Sequence, residues 1–511
     1  MAFTVRKKSL FFLFCAVWVP LQVGVVVAQP AQTMERDQIA TLDIESSSPH
    51  PTKIWPLPIG GRLPVFESAN SSLPSLSAHR VYSVQECMQI AIANHGGLQV
   101  ARKQIELALA KLNESNRALF PSATFRTTFT QGETKTAPFK EEEFIFKIEQ
   151  PLLDGGGLKA TFRQAQVNLE MTRANYDKMV QDLRFEVEKN YYELVKLLLQ
   201  FDIQREVLSE MISLMELTKK QLDVEVITRL EYLNVQSLYQ QLFYQNASTE
   251  KDIILSRMNL QHSMSVSTEA VIHIDYHLVF PEFKKSLEEC QGLAKQKRPE
   301  ILTNYLLIKF YHYGKKIVEA KKHWKVDLSS SYGSSGSAFE GENFSLGDDF
   351  FVGLQVSRPI GLHSLTSSVT TQQTSPKLGE SDRTKSTAAS TEVGLFNQYS
   401  GISEEKEAEV SYRQALMELD KIKSTVESEV TEAYFNGQKA AVLYEAQKMR
   451  VEFRERGLAV VQLQQRINEA LISNVLEAQI QLAQEQIAFA SALADYHISL
   501  ASLNRSTGYA L

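Results

Sequence analysis

The 511-residue chain carries 54 Lys and Arg against 60 Asp and Glu, a formal net charge of −6. That mild acidity, with no basic block, argues against a nucleic-acid partner. Three cysteines in a chain of this length, one of them Cys15 near the start, exclude a disulfide framework.

The N-terminus reads as an export signal. Arg6, Lys7 and Lys8 precede an apolar run over 10–28, interrupted by Pro20 and Gln22 and closed by Val26-Val27-Ala28. A small residue at the end of a short apolar stretch places cleavage after Ala28, so residues 1–28 are expected to be a signal peptide. Residues 29–80 scatter Pro and Ser without periodicity and read as an extended linker. No later stretch reaches the ~18 apolar residues of a spanning helix, so a membrane crossing by the remaining chain requires a β-barrel.

From residue 83 onward the chain is duplicated, with copies over 81–280 and 281–511. Ser83-Val84-Gln85-Glu86-Cys87 returns as Ser286-Leu287-Glu288-Glu289-Cys290, 203 positions later. Gln150-Pro151-Leu152 returns as Arg358-Pro359-Ile360 at an offset of 208, and Tyr191-Tyr192 as Tyr434-Phe435 at 243. The jump of 35 (243 − 208) falls on a Ser-, Thr- and Gln-rich stretch at about 364–400, read as a mobile, surface-exposed insertion dispensable for assembly.

Each copy changes period from helix to strand and back. Residues 83–119 predict helix, broken only by Gly96-Gly97. Phe125, Thr127 and Phe129 then alternate with polar neighbours, as do Phe144, Phe146 and Ile148 after a polar loop over 131–143. The second copy supplies Val326, Leu328, Ser330 and Tyr332, then Phe350, Val352, Leu354 and Val356. The expectation is two β-hairpins, four strands in all. Residues 158–222 hold no Pro or Gly and predict a helix of roughly 100 Å. Its counterpart carries a seam of Leu419, Ile422, Val426, Val430, Ala433 and Gly437 in steps of three and four. The fold class is mainly α with a small β part, a duplicated long-helix coiled coil plus hairpins. Four strands cannot close a barrel, so if these hairpins enter a membrane several protomers must pool them.

These residues resemble the TolC-like outer-membrane efflux proteins (outer membrane factors) over about 80–511. The resemblance rests on Val84-Gln85-Glu86-Cys87-Met88-Gln89-Ile90-Ala91 with Asn94, and on Ala118-Leu119-Phe120-Pro121. It rests equally on Gln150-Pro151-Leu152-Leu153-Asp154-Gly155-Gly156, the pairs Tyr191-Tyr192 and Tyr434-Phe435, and Asn474-Val475-Leu476-Glu477-Ala478-Gln479. It implies a homotrimer whose twelve strands form a barrel in outer-membrane lipid above a periplasmic helical tunnel. It also implies a periplasmic adaptor and an inner-membrane pump as partners, in drug efflux or type I secretion, and no catalysis by the duct. An exported coiled-coil scaffold or adhesin is the competing reading. A periplasmic adaptor-like binding module is a third, disfavoured because adaptors lack this doubled helix–hairpin–helix plan.

Residue by residue, the resemblance puts adaptor-docking tips at Val224, Glu225 and Val226 and at Ile467, Asn468 and Glu469. The family's Val-Gly-Leu-like turn is absent from both, and Glu225 in place of Gly suggests a different turn at the first tip. The periplasmic constriction falls on Glu231, Asn474 and Glu477. Three copies of a carboxylate around an axis attract cations, and Asn474 leaves Glu477 the stronger candidate in the second copy. Pro121, Pro151 and Pro359 are read as helix–strand junctions, because proline donates to neither ladder.

The remaining candidates take plainer readings. Asp154-Gly155-Gly156-Gly157-Leu158-Lys159 lacks Walker spacing and is a strand-to-helix turn. Cys87 and Cys290 are packing residues, and His312 and His323 are too isolated for a metal site. No cofactor and no catalytic set are expected.

Overall fold

The computed structural model describes residues 80–508 apart from 136, 269–271, 379, 381 and 468. The signal peptide, nearly all of the linker and the Asn468 tip position lie outside the described residues.

Both copies start with the same local device. Strand β1 (Val81–Tyr82) leads into helix α1 (Val84–Asn94), and β4 (His273–Ile274) precedes α5 (Leu287–Lys297). β1 and β4 pair in parallel, joining the two copies. Ser83 caps α1 and Ser286 caps α5, each accepting from the backbone N–H three residues on while Glu86 and Glu289 accept in return from the serine N–H. Two N–H groups that a helix start leaves without partners are thereby satisfied reciprocally. The helices break at His95 and Arg298, both in extended backbone, before α2 (Gly96–Arg117) and α6 (Pro299–Ala320) resume. The duplication thus extends to the break, which keeps the 203-residue offset (298 − 95).

The long helices α3 (Gly157–Asp223) and α7 (Ser400–Arg466) are 67 residues each, paired with α4 (Arg229–Ser263) and α8 (Ile472–Thr507). At 1.5 Å per residue, α3 and α7 run about 100 Å. Away from the strands the helices lie side by side in the order α4, α3, α8, α7, and nearer the strands α2, α3, α6, α7. Val426, Val430, Ala433 and Gly437 of the expected α7 seam are buried. The main core gathers Cys87, Leu98, Val187, Val195 and Leu260 where α1, α3 and α4 meet the β1–β4 pair. Tyr191 holds that pair to α3, its hydroxyl donating to the Asp275 carbonyl at 2.5 Å. Cys87 and Cys290 are buried free thiols, and burial pushes the Cys87 thiol up to about 12.

The strands depart from expectation. Among the described residues one antiparallel sheet holds six, not four: β2 (Ser122–Glu133), β3 (Pro138–Asp154), β5 (Lys325–Phe339), β6 (Gly347–Ile360), β7 (His363–Thr374) and β8 (Thr384–Gly394), in that order. The stretch read as a mobile insertion is the third hairpin, β7–β8. Its Ser/Thr richness mimics a linker, yet alternate residues form a continuous ladder with β6. The expected loop over 131–143 is also mostly strand: β2 and β3 pair from Ser122↔Glu149 to Glu133↔Pro138, because polar residues on both faces suit a hairpin end in water.

Candidate functional site

Residues directly opposite in an antiparallel ladder share a face, so register assigns every side chain to one side of the sheet. One face carries Phe125, Phe129, Phe146, Tyr332, Val352 and Leu354, all exposed. The other carries Thr124, Arg126, Thr128, Lys147, Glu143 and Gln355, with Arg126 and Glu143 4.0 Å apart. An apolar surface exposed on one side of a sheet and a charged one on the other match a wall between lipid and water. No helix among the described residues is long and apolar enough to cross a membrane.

The sheet and the helical layer are both open at their sides. β2 and β8 are edge strands, and α4 and α7 end the helical row. These outer helices expose large apolar side chains: Leu230, Tyr244 and Leu255 on α4, and Met417, Val442 and Met449 on α7. Exposed apolar surface on this scale marks an interface.

Of the proposed junctions, Pro121 does lie between α2 and β2. Pro151 lies inside β3, where the register slips between Pro151 and Leu153. A residue without an N–H is accommodated at such a bulge. Pro359 is not a strand-to-helix junction. It is followed by the Gly361 turn, at φ +61°, and then by β7, since the third hairpin separates β6 from α7.

The Asp154–Gly157 segment forms the expected strand-to-helix turn. Asp154 accepts from the Gly156 N–H at 3.0 Å and from the Leu158 N–H, capping α3, while Gly155 and Gly156 sit at φ +68° and +90°.

At the far end of the helices the two tips share one hydrogen bond. After α3 the Val226 N–H donates to the Gln221 carbonyl at 2.9 Å and the Glu225 N–H to Leu222 at 3.0 Å. After α7 the Glu469 N–H donates to the Gln464 carbonyl at 2.8 Å, the matching bond. The two bonds at the first tip make a Schellman closure. At the first tip Glu225 itself adopts the left-handed conformation, at φ 60°. Val224, Val226 and Ile467 are exposed, each by about two thirds.

The constriction candidates stand at the starts of α4 and α8. Thr228 caps α4 by accepting from the Glu231 N–H at 3.2 Å. Val235, one turn on, shares a buried cluster with Ile472 and Leu476 of α8 and Met211 of α3. That cluster brings the two helix starts to one level, with Glu231 half-buried and Asn474 and Glu477 exposed. Among the described residues no group of His, Cys, Asp or Glu has the arrangement of a metal site.

Two features escaped the sequence reading. The third hairpin is one, and its signal was the alternation of Leu365, Val369 and Val393 with Ser and Thr. The other is Arg298, a buried cation bonded to Glu300, Glu429 and the Ser506 carbonyl, which nothing in its local sequence announces.

Residues 87–263 match the family described as outer membrane efflux protein. No curated protein matches the chain by sequence. Among solved structures, the outer membrane protein VceC of Vibrio cholerae is similar at 12% identity and a TM-score of 0.67, covering 83% of this chain and 96% of that one. The Campylobacter jejuni CmeC outer membrane channel is similar at 12% identity and a TM-score of 0.68, covering 84% and 86%. The open state of the Neisseria gonorrhoeae MtrE outer membrane channel is similar at 14% identity and a TM-score of 0.65, covering 84% and 89%.

Proposed function

From a chain whose first copy carries an outer membrane efflux protein domain and whose fold is that of TolC-like outer-membrane channels, we propose that it is one protomer of an exit duct. Three copies stand around an axis in the outer membrane, and their helices continue the lumen through the periplasm. The observation that carries this reading is the doubly open wall: a one-sidedly apolar sheet with two unpaired edges above a helical row flanked by exposed apolar side chains. Hydrocarbon does not tolerate open strand edges, and water does not favour exposed Met, Leu and Val rows. Closure against further copies removes both costs. A scaffold or adhesin would have no need for the apolar face.

In this reading the duct conducts passively. An inner-membrane pump supplies the energy, and a periplasmic adaptor docks at Val224–Val226 and at 467–469, where Val224, Val226 and Ile467 are exposed. Glu231 and Glu477, repeated around the axis, form an acidic neck that admits cations, with Asn474 beside them. The test is the mass of the detergent-solubilised protein together with conductance across planar bilayers. Trimers that insert and conduct are expected. A monomer that never inserts would overturn the proposal.

A further inference from the structure

We propose that the third hairpin is part of the membrane wall: β8 pairs with β2 of a second copy of this chain, so that three copies close an eighteen-stranded barrel. The inference rests on the trimeric duct reading and goes beyond it, because a two-hairpin protomer would close twelve strands.

Strand length is the first support. β7 and β8 have 12 and 11 residues, enough to cross hydrocarbon at a tilt. Their side chains also continue the sheet in phase. Register places Val369 beside Leu354 and Ala389 beside Val369, so Leu365, Val369, Ala389 and Val393 stand on the apolar face, where the hydroxyls between them bond each other as the pairs Ser367–Thr391 and Thr371–Thr387. The opposite face of the hairpin is Thr366, Ser368, Thr370, Ser386 and Ser390, continuing the polar face.

The hairpin is fixed at both ends. At its turn, Asp349 of β6 accepts from the Ser375 N–H at 2.5 Å and from the Ser375 hydroxyl at 2.7 Å. At its base, Asn397 donates to the Ser364 hydroxyl at 2.7 Å and the Phe396 N–H to His363 Nδ1 at 3.3 Å. Phe396 and Tyr399 are exposed there, as are Phe120 and Trp324 at the bases of β2 and β5. Aromatic residues at one level are the mark of a membrane–water interface.

Direction and size agree. β2 runs away from the helices and β8 returns toward them, so a neighbour's β2 meets β8 antiparallel, as every pair within the sheet does. Twelve helices about 10 Å apart have a perimeter of roughly 120 Å. Eighteen strands at about 4.8 Å spacing, tilted by about 40°, span roughly 110 Å.

Cysteine cross-linking tests the seam in the full-length protein, whose mature-region thiols Cys87 and Cys290 are buried. Ala389→Cys on β8 is combined in turn with Ala123→Cys, Phe125→Cys and Thr127→Cys on β2, all on the apolar face. Oxidation is expected to give disulfide-linked dimers and trimers in at least one pair. The same β2 variants with Val352→Cys on β6 are expected to give none. Cross-links to Val352→Cys without any to Ala389→Cys would overturn the eighteen-stranded wall and leave the trimeric duct standing. Absence of both in a protein that still runs as a trimer would likewise overturn the wall. Failure of the parent protein to trimerise would overturn both readings. As a second readout, Ser390→Cys should react with a membrane-impermeant maleimide in proteoliposomes while Ala389→Cys stays protected. Equal labelling of the two would place the hairpin in water and overturn the proposal.

Discussion

Arg298 and Glu429 face each other with Nη2 and Oε2 2.5 Å apart, tying the α5–α6 break to the middle of α7. Arg298 is buried, while the carboxylate is nearly half exposed. The same guanidinium donates to Glu300 at 3.0 Å and to the Ser506 carbonyl at 3.3 Å, so one cation joins α6, α7 and the end of α8. Removing it takes a donor from the part-buried Glu300 carboxylate and from the Ser506 carbonyl. Arg298→Met should cost about 3 kcal/mol, read as a lowered thermal midpoint by circular dichroism. Glu429→Gln, at the solvent side, should cost less than about 1 kcal/mol. Equal losses from the two variants would contradict this division.

The glycine turn before α3 gives a paired prediction. A Cβ on Gly155 would lie 2.6 Å from the Ala320 carbonyl oxygen, whereas one on Gly156 meets nothing within 4 Å. Both residues have positive φ, so each alanine variant carries backbone strain of about 1 kcal/mol. Gly155→Ala adds a backbone clash and should be the worse by at least about 1 kcal/mol. Thermal unfolding of the two variants side by side checks the order.

Glu188 predicts a pH dependence. Burial on α3 pushes its carboxyl from the ordinary 4.5 up to about 7. The folded state therefore binds the proton more tightly than the unfolded one, and this contribution is fully present below pH 4.5 and lost as the pH rises to about 7. Glu188→Gln, which cannot ionise, should flatten the fall in stability across that window. At pH 8 it should be the more stable by about 2 kcal/mol, allowing for partial exposure. Melting curves at pH 5 and pH 8 provide the comparison.

For the neck, Glu231→Gln with Glu477→Gln should reduce the preference for cations over anions in bilayer recordings without changing trimer yield. Reversal potentials under a salt gradient measure it. An unchanged reversal potential would assign these carboxylates to the solvated helix surface.

Much of this architecture was legible before any coordinates. Long breaker-free runs specified α3 and α7, because helix period and the absence of Pro and Gly act locally. The repeated Ser83–Cys87 segment marked the two matching helix starts, and the Asp-Gly-Gly-Gly turn declared itself through its glycines. Small side chains at Ala433 and Gly437 marked the close seam.

What was misread depended on partners distant in sequence. Ser and Thr serve linkers and strands alike, so only the ladder with β6 shows that β7 and β8 belong to the sheet. Likewise Pro359 has the same local surroundings as Pro151, but the chain beyond it turns into β7. Glu225 takes a left-handed turn that its own preference opposes, because the α3–α4 closure imposes it.

The sequence by itself determined the duplicated plan, the helix lengths and the two-faced strands, since each follows from periodicity within one segment. Only the tertiary structure decided the number of strands in the sheet, the junction at Arg298 and the level at which Glu231 and Glu477 stand. Those depend on pairing and burial between segments hundreds of residues apart, and no local pattern encodes which edges meet.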